Sequence, residues 1–198
     1  MKLNSILSLL KQRKRVVIHN GDNAQWIGDG FVSYPIYSLP YLSEESMQML
    51  LGVDFDAWSK YTYDYIDRVP FSEEDFTADE ITLSELEVRI SYRGCDMILL
   101  SDGAKVYYIE KKYLKPFADF EPTFFYRSEK KMIAVKEGML LRGLIIPHHF
   151  AEVSRKELLD ELRKAYLMTD RMLKELAVVE QAEKIAEDLG FVEESENE

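Results

Sequence analysis

Apolar residues at the start of the chain recur with a helical period. They stand three or four positions apart with polar residues opposite them, which predicts a short amphipathic helix over residues 3–14. Basic residues gather at the end of this segment, where they suit the negative end of the helix dipole. The apolar positions of the stripe are Leu3, Ile6, Leu7 and Leu10.

The next apolar positions are typical of a β-hairpin. An apolar run at 16–18 leads into the turn sequence Asn-Gly-Asp-Asn at 20–23, and a second apolar segment follows at 26–34. Gly28 and Gly30 in the second segment indicate either a bulge or a second tight turn. The pair lacks the third glycine and the following helix of a dinucleotide-binding loop, so we expect no nucleotide site here.

Polar residues mark the limits of a second helix and of an unusual segment after it. Ser43 is a good N-cap and acidic residues fill the next turn, which predicts a helix that ends near Gly52. Residues 54–85 are then rich in acidic and aromatic side chains, with Pro70 in the middle. We expect this acidic insertion to form a short helix or an irregular excursion on the surface of the core.

The centre of the chain is strand-rich. Apolar and polar residues alternate in several short segments separated by turn signals, which predicts six or more strands in an antiparallel meander. A short helical turn is expected at 113–115. The predicted strand segments are 86–90, 97–100, 106–109, 124–126, 132–135, 139–141 and 144–146.

The last part of the chain has the pattern of one long helix. Ser154 and Glu157 form a capping box, and apolar residues then recur at alternating steps of four and three. A helix over 151–190 would span on the order of 50 Å, so it would pack on the protein's own sheet or form a coiled-coil homodimer. We expect residues 191–198 to be a disordered acidic tail.

These patterns together predict an α+β fold. We expect an antiparallel sheet of six or more strands, a short N-terminal helix and a long C-terminal helix. Residues 1–150 would form the core domain, which includes the acidic insertion at 54–85.

Charge is distributed unevenly along the chain. The formal net charge is −11, which disfavours non-specific nucleic-acid binding. Residues 39–90 carry thirteen acidic groups against three basic ones, whereas residues 1–15 carry five basic groups and no acidic one. An acidic aromatic surface can occupy a basic groove on a partner protein, as a mimic of nucleic acid, or it can simply be solvated.

Two sets of residues are therefore candidates for binding. The first would contact a host protein, and the second would contact nucleic acid through a locally basic helix. The candidates for protein binding are Asp54, Asp56, Trp58, Tyr61, Asp64, Asp67, Glu73, Glu74 and Asp75. The candidates for nucleic-acid contact are Lys11, Arg13, Lys14 and Arg15.

No residue pattern points to catalysis. His148 and His149 are neighbours at a predicted strand end, where adjacent side chains face opposite ways and cannot easily chelate one metal ion. Cys95 has no histidine close in sequence to activate it. We therefore expect no catalytic residue, no cofactor and no bound metal. A single cysteine suits a reducing compartment, and no apolar run reaches the length of a membrane span, so we expect a cytoplasmic protein.

Three segments of the chain carry a resemblance to known proteins. They are Trp26-Ile27-Gly28-Asp29-Gly30 running to Tyr34-Pro35-Ile36-Tyr37, then Ala134-Val135-Lys136-Glu137-Gly138, and finally Leu144-Ile145-Ile146-Pro147. Together they resemble small uncharacterised proteins encoded by phages and mobile elements of Gram-positive bacteria. That family has no assigned activity, so the resemblance implies context and not chemistry.

A second resemblance covers residues 113–147. The predicted order there is short helix, strand, strand and apolar closing strand. This order is similar to the last half-domain of a bacterial DNA polymerase sliding clamp. Such clamps line their lumen with basic helices, and the resemblance gives that role to the helix that ends at Lys11 to Arg15. The chain departs from the family elsewhere, because it is too short for the repeated domains of a ring subunit.

We therefore expect a non-enzymatic interaction protein, encoded by a phage or prophage, that binds a host protein through its acidic aromatic surface. The alternative is a DNA-associated accessory factor with a sliding-clamp-like fold. The segregated charge and the lack of catalytic motifs favour the first hypothesis.

Overall fold

The computed structural model describes residues 2–37 and 39–148, together with the single positions 167, 171 and 174. Contacts divide the chain into two units, Met1–His149 and Phe150–Glu198. The predicted long helix over 151–190 and the acidic tail at 191–198 lie outside the described residues, except that the backbone is helical at Leu167, Arg171 and Lys174.

The described residues of the first unit form three α-helices, one 3₁₀ helix and ten strands. The helices are α1 (Leu3–Arg13), α2 (Glu44–Leu51), α3 (Phe55–Trp58) and the 3₁₀ helix (Lys111–Phe117). The strands are β1 (Arg15–Asn20), β2 (Gln25–Gly28), β3 (Val32–Ile36), β4 (Thr62–Ile66), β5 (Glu80–Tyr92), β6 (Cys95–Ser101), β7 (Val106–Glu110), β8 (Thr123–Arg127), β9 (Met132–Glu137) and β10 (Leu140–Ile145).

These ten strands join in one sheet. Their order is β4-β1-β2-β3-β10-β9-β8-β5-β6-β7. Neighbouring strands are antiparallel except for β1 and β4, which are parallel. The structure therefore confirms the predicted α+β class, the mainly antiparallel sheet of six or more strands and the short N-terminal helix.

The chain makes a second tight turn directly after the first hairpin. β1 pairs with β2, and the chain turns again after Gly28 to form β3. A Cβ atom at Gly28 would overlap the carbonyl oxygen of Val32, so only glycine fits this close approach. Asp29 closes the turn because its Oδ1 accepts hydrogen bonds from the backbone N–H groups of Phe31 (2.9 Å) and Val32 (3.2 Å). The glycines therefore mark a second tight turn and not a bulge.

The sheet departs from the predicted segments in three places. The strand predicted at 86–90 is longer, because β5 begins at Glu80 within the predicted acidic insertion. Residues 139–141 and 144–146 contribute to a single strand, β10, whose register shifts between Leu141 and Gly143. Strand β4 is not predicted by the pattern, because acidic residues interrupt it and its partner β1 is distant in sequence. Long-range pairing therefore converts part of the acidic insertion into an edge of the sheet.

The central strands carry buried apolar residues on both faces of the sheet. The helices cover one face, where Leu10, Met47 and Phe117 are buried in the main apolar core. The other face is covered by residues 67–79, which we call the strap. Phe71 of the strap packs on Trp26, with 5.0 Å between the ring centroids. Much of the acidic insertion is therefore fastened to the sheet by apolar contacts.

Candidate functional site

Two aromatic candidates, Trp58 and Tyr61, pack against the core. Trp58 is 8% exposed, and its ring stacks on that of Tyr61 with 5.2 Å between the centroids. The Trp58 Nε1 donates a hydrogen bond to Glu44 Oε1 at 2.8 Å, which connects α3 to α2. These rings therefore hold the two helices in place, and Trp58 is too buried to contact a partner protein.

Asp54 and Asp64 satisfy groups of the chain itself. Asp54 caps α3, since its Oδ1 accepts a hydrogen bond from the backbone N–H of Ala57 at 2.7 Å. Asp64 on β4 forms an ion pair with Arg15 on β1, with 3.1 Å between Oδ2 and Nη2. This exposed pair adds little stability, but it neutralises one candidate from each of the two predicted sets.

The strap uses Glu73 and Asp75 to contact the sheet beneath it. Glu73 accepts hydrogen bonds from Trp26 Nε1 at 2.7 Å and from the backbone N–H of Asp22 at 2.6 Å. Asp75 Oδ1 accepts a hydrogen bond from the backbone N–H of Leu141 at 2.7 Å. The acceptor atoms of both carboxylates therefore face the protein's own sheet.

Three of the exposed acidic candidates have a carboxylate without a partner in the described part of the chain. Asp56 lies on α3, and Asp67 and Glu74 lie on the strap. Their carboxylates have no ion-pair or hydrogen-bond partner among the described residues. Asp54, Glu73 and Asp75 accept hydrogen bonds from neutral N–H groups and keep their charge, so among the described residues Asp64 is the one acidic candidate that is paired with a cation.

Large apolar side chains are exposed on α2 and on α3. Met49 on α2 is 80% exposed and Phe55 on α3 is 78% exposed. Met47 and Leu51 are one turn apart and buried, so Met49 between them faces away from the core. Neither Met49 nor Phe55 is among the candidates predicted from the sequence. The helical period of α2 would have indicated that Met49 is exposed. We give the name α2–α3 corner to Glu45, Met49, Leu50, Phe55 and Asp56.

Arg13 is partly exposed, but its guanidinium group is held by buried acceptors of the same chain. Its Nη2 donates hydrogen bonds to Glu110 Oε1 at 2.6 Å and to the Tyr113 hydroxyl at 3.1 Å, and its Nε lies 3.6 Å from Asp29 Oδ2. Asp29 is 1% exposed and Glu110 is 2% exposed. Arg13 therefore connects α1 to the sheet as a structural cation.

Lys11 and Lys14 are the unpaired members of the basic set. Both side chains are exposed, and neither has an acidic partner in the described part of the chain. Lys14 ends α1 with a left-handed φ of 50°. Arg13 and Arg15 are paired with carboxylates, so two of the four cations are already neutralised within the chain.

Glu110 is the centre of the network around Arg13. It also pairs with Lys112 and lies 3.2 Å from His148 Nε2. Burial alone would raise the pKa of Glu110, but hydrogen bonding and charge from Lys112 and from Arg13 lower that pKa below its ordinary value. Burial and the neighbouring carboxylates raise the pKa of Tyr113, so its hydroxyl remains a neutral hydrogen-bond donor.

Glu110 should make the fold sensitive to acid. Because its pKa is lowered by folding, the carboxylate stabilises the fold at neutral pH, and this contribution is lost as the pH falls from about 4.3 through the folded pKa. We expect Glu110→Gln to lower the free energy of unfolding at pH 7 and to flatten its decline between about pH 5 and pH 2. Urea unfolding across this range measures both effects.

Glu121→Gln is the control for this experiment. Glu121 is exposed and has no partner among the described residues, so its substitution should leave the decline in acid unchanged. A decline in Glu110→Gln as steep as that of the wild type would contradict the role given to Glu110.

A cleft of about 660 Å³ opens beside Glu110. Its walls come from the 3₁₀ helix, from β6 and β7, and from residues 118–122. Cys95 lies half-buried in one wall, where burial and the Glu110 carboxylate raise the pKa of its thiol. The thiol is therefore protonated at neutral pH, which does not suit a nucleophile.

The described residues show no metal centre. No group of three or more His, Cys, Asp or Glu side chains among them could hold a metal ion. His148 belongs to the Glu110 network, and His149 lies outside the described residues. Within the same part of the chain, every helix is too short or too polar to span a membrane.

The chain matches no protein-family model, no curated protein and no solved structure.

Proposed function

We propose that the protein is a non-enzymatic interaction protein that binds a partner protein through the α2–α3 corner. Met49 and Phe55 would contact apolar groups of the partner, and Glu45 and Asp56 would face cationic groups around them. The partner would be a host protein, and the chain would come from a phage or prophage, as the resemblance of residues 26–37, 134–138 and 144–147 implies.

The exposure of Met49 and Phe55 carries this proposal. They are 80% and 78% exposed, and Leu50 is 37% exposed. Single exposed apolar residues are common on soluble proteins, but three within seven positions on adjoining helices form a group. Energetically important interface residues typically form an apolar centre inside a polar rim, which is the composition of this corner.

The charge of the corner indicates the chemistry of the partner. Glu45 and Asp56 have no cationic partner among the described residues, and the segment 39–90 carries thirteen acidic groups against three basic ones. Coulombic attraction would therefore steer a cationic surface toward the corner and repel an anionic one. We infer a partner surface that combines basic side chains with an apolar pocket.

The DNA-associated alternative has less support. It requires Lys11, Arg13, Lys14 and Arg15 to face phosphates together, whereas both arginines are paired with carboxylates of their own chain. The two remaining lysines would supply few phosphate contacts, and affinity for DNA depends on the number of such contacts.

We expect a Met49→Ser/Phe55→Ser double variant to lose its partner in pull-downs from a bacterial lysate. The wild-type protein should retain that partner at low salt and release more of it as ionic strength rises, because rim charges are screened within about 10 Å at 0.1 M salt. Loss of two central apolar contacts should weaken binding at least about tenfold. Calorimetric titration with the purified partner would measure this change.

Met139→Ser is the matched control. Met139 is 67% exposed at the turn between β9 and β10, so the variant removes an exposed methionine side chain away from the corner. Equal capture by the double variant and this control would rule out the corner, and so would capture that is insensitive to salt. If the wild-type protein instead retained DNA from the lysate and the Lys11→Ala/Lys14→Ala variant did not, the DNA-associated alternative would be favoured.

A further inference from the structure

We propose that the cleft beside Glu110 is a binding site for a small organic anion with an apolar body. Its volume of about 660 Å³ falls within the roughly 300–1,000 Å³ of typical small-molecule sites. No residue of the α2–α3 corner lines the cleft, so this site is separate from the proposed protein-binding surface.

The floor of the cleft is apolar. Ile98 of β6 and Phe117 of the 3₁₀ helix are buried beneath it, and Leu114 and Phe120 are half-buried beside it. The rings of Phe117 and Phe120 lie 5.7 Å apart between centroids and are tilted by 57°. A surface of this kind favours an aliphatic or aromatic group that leaves water.

Three lysines of the 3₁₀ helix line the cleft, and two of them have no acidic partner. Lys112 pairs with Glu110, whereas Lys111 and Lys115 are exposed and form no ion pair with a carboxylate of the described residues. A 3₁₀ helix repeats every three residues, which places Lys112 above Lys115 and Lys111 above Leu114. Cationic and apolar side chains therefore reach the cleft from the same helix.

Three carboxylates also line the cleft, and two of them are already paired with cations. Glu110 is neutralised within its network, and Glu85 forms an ion pair with Arg89 at 2.6 Å. Asp96 remains, so two unpaired lysines stand against one unpaired aspartate. The two unpaired lysines are therefore the groups in the cleft whose charge an anion could neutralise, in a chain whose net charge is −11.

The same charges define how the ligand would lie. Its anionic group would be near Lys111 and Lys115, and its apolar body would lie against Phe117 and Phe120. Arg13 and Lys112 are already paired with Glu110, so the anionic group would lie beside the two unpaired lysines and away from Glu110.

Fluorescence titration of the full chain with 8-anilinonaphthalene-1-sulfonate tests the site, because this probe joins an aromatic body to one sulfonate. We expect saturable enhancement of its fluorescence. A Lys111→Gln/Lys115→Gln double variant should bind the probe roughly fivefold more weakly, as expected for the loss of two exposed charge contacts. The neutral analogue N-phenyl-1-naphthylamine should bind the double variant and the wild type equally well.

Lys130→Gln/Lys131→Gln is the matched control, because it removes the same charge from the turn between β8 and β9. The control should bind the probe as the wild type does, and so should Met49→Ser/Phe55→Ser. Equal affinities of the two lysine double variants would overturn the proposal. Enhancement that accompanies loss of the near-ultraviolet circular dichroism would overturn it as well, because the probe would then report partial unfolding.

Competition with two unlabelled acids identifies the body of the ligand. Octanoate has an aliphatic body and 2-naphthoate has an aromatic one. Displacement of the probe by one acid and not by the other would assign the site to that class of anion. Displacement by both would show that the site accepts aliphatic and aromatic bodies alike. Displacement by neither acid would overturn the proposal.

Discussion

Replacing Glu80 with glutamine is expected to lower the free energy of unfolding by about 3–5 kcal/mol. Glu80 begins β5 and is the shared partner of two cations. Its Oε1 accepts a hydrogen bond from Arg127 Nε at 2.9 Å, and its Oε2 accepts one from Lys136 Nζ at 2.6 Å. Arg127 is 2% exposed and Lys136 is 0% exposed. The substitution would therefore leave two buried positive charges without a counter-charge.

The same cations hold the strap on the sheet. Arg127 also donates hydrogen bonds to the backbone carbonyl groups of Ser72 at 2.7 Å and Glu74 at 2.6 Å. The Lys136 Nζ lies 4.2 Å from the ring centroid of Phe76. Glu80→Gln should therefore loosen the strap as well, and faster amide hydrogen exchange in the strap would reveal this.

Glu85→Gln is the control for Glu80→Gln. Glu85 and Arg89 form an exposed ion pair on the same strand, and loss of such a pair changes stability by at most about 1 kcal/mol. Adding Lys136→Met to Glu80→Gln should recover part of the loss, because methionine removes one uncompensated charge and fills similar space. Urea denaturation measures all three variants. Equal losses from Glu80→Gln and Glu85→Gln would contradict the shared-partner interpretation.

The second large effect is expected at Asp29. Asp29→Ala should lower the free energy of unfolding by about 3 kcal/mol, since it leaves buried donors without an acceptor. The carboxylate accepts from the backbone N–H groups of Phe31 and Val32 and, at 3.2 Å, from the Tyr113 hydroxyl. It also faces Arg13. Asp29→Asn keeps a carbonyl acceptor but removes the charge, so its loss should be smaller.

Asp102 provides a matched control for Asp29. It accepts hydrogen bonds from the backbone N–H groups of Ala104 at 2.8 Å and Lys105 at 2.6 Å, and from the Tyr107 hydroxyl at 2.9 Å. These are the same three kinds of donor, but they lie at the solvent-exposed turn between β6 and β7. Water can replace the carboxylate there, so Asp102→Ala should destabilise the fold much less than Asp29→Ala. Chemical denaturation that gave equal losses would show that burial does not set the effect.

Local patterns predicted α2 and its limits correctly. Ser43 accepts a hydrogen bond from the backbone N–H of Ser46, and Gly52 ends the helix with a φ of 59°. Both signals depend on residues that are close in sequence, so a local pattern was sufficient. The same reasoning accounts for α1 and for the first hairpin.

The candidate surface could not be predicted from composition, because charge alone does not show which donors lie nearby. Glu73 and Trp26 are 47 positions apart, and Asp75 and Leu141 are 66 positions apart. In the folded protein these pairs form hydrogen bonds, so both carboxylates bind donors of the sheet. Asp56 has no such donor among the described residues, and it stays on the exposed surface as expected.

The sequence by itself determined the α+β class, the short N-terminal helix and most of the strand segments, because helix and strand periods arise from neighbouring residues. Only the tertiary structure decided the parallel pairing of β4 with β1, the exposure of each charged candidate and the joining of Glu80 to Arg127 and Lys136. These features depend on contacts between distant residues. Only the folding of the whole sheet brings such residues together and buries their side chains away from water.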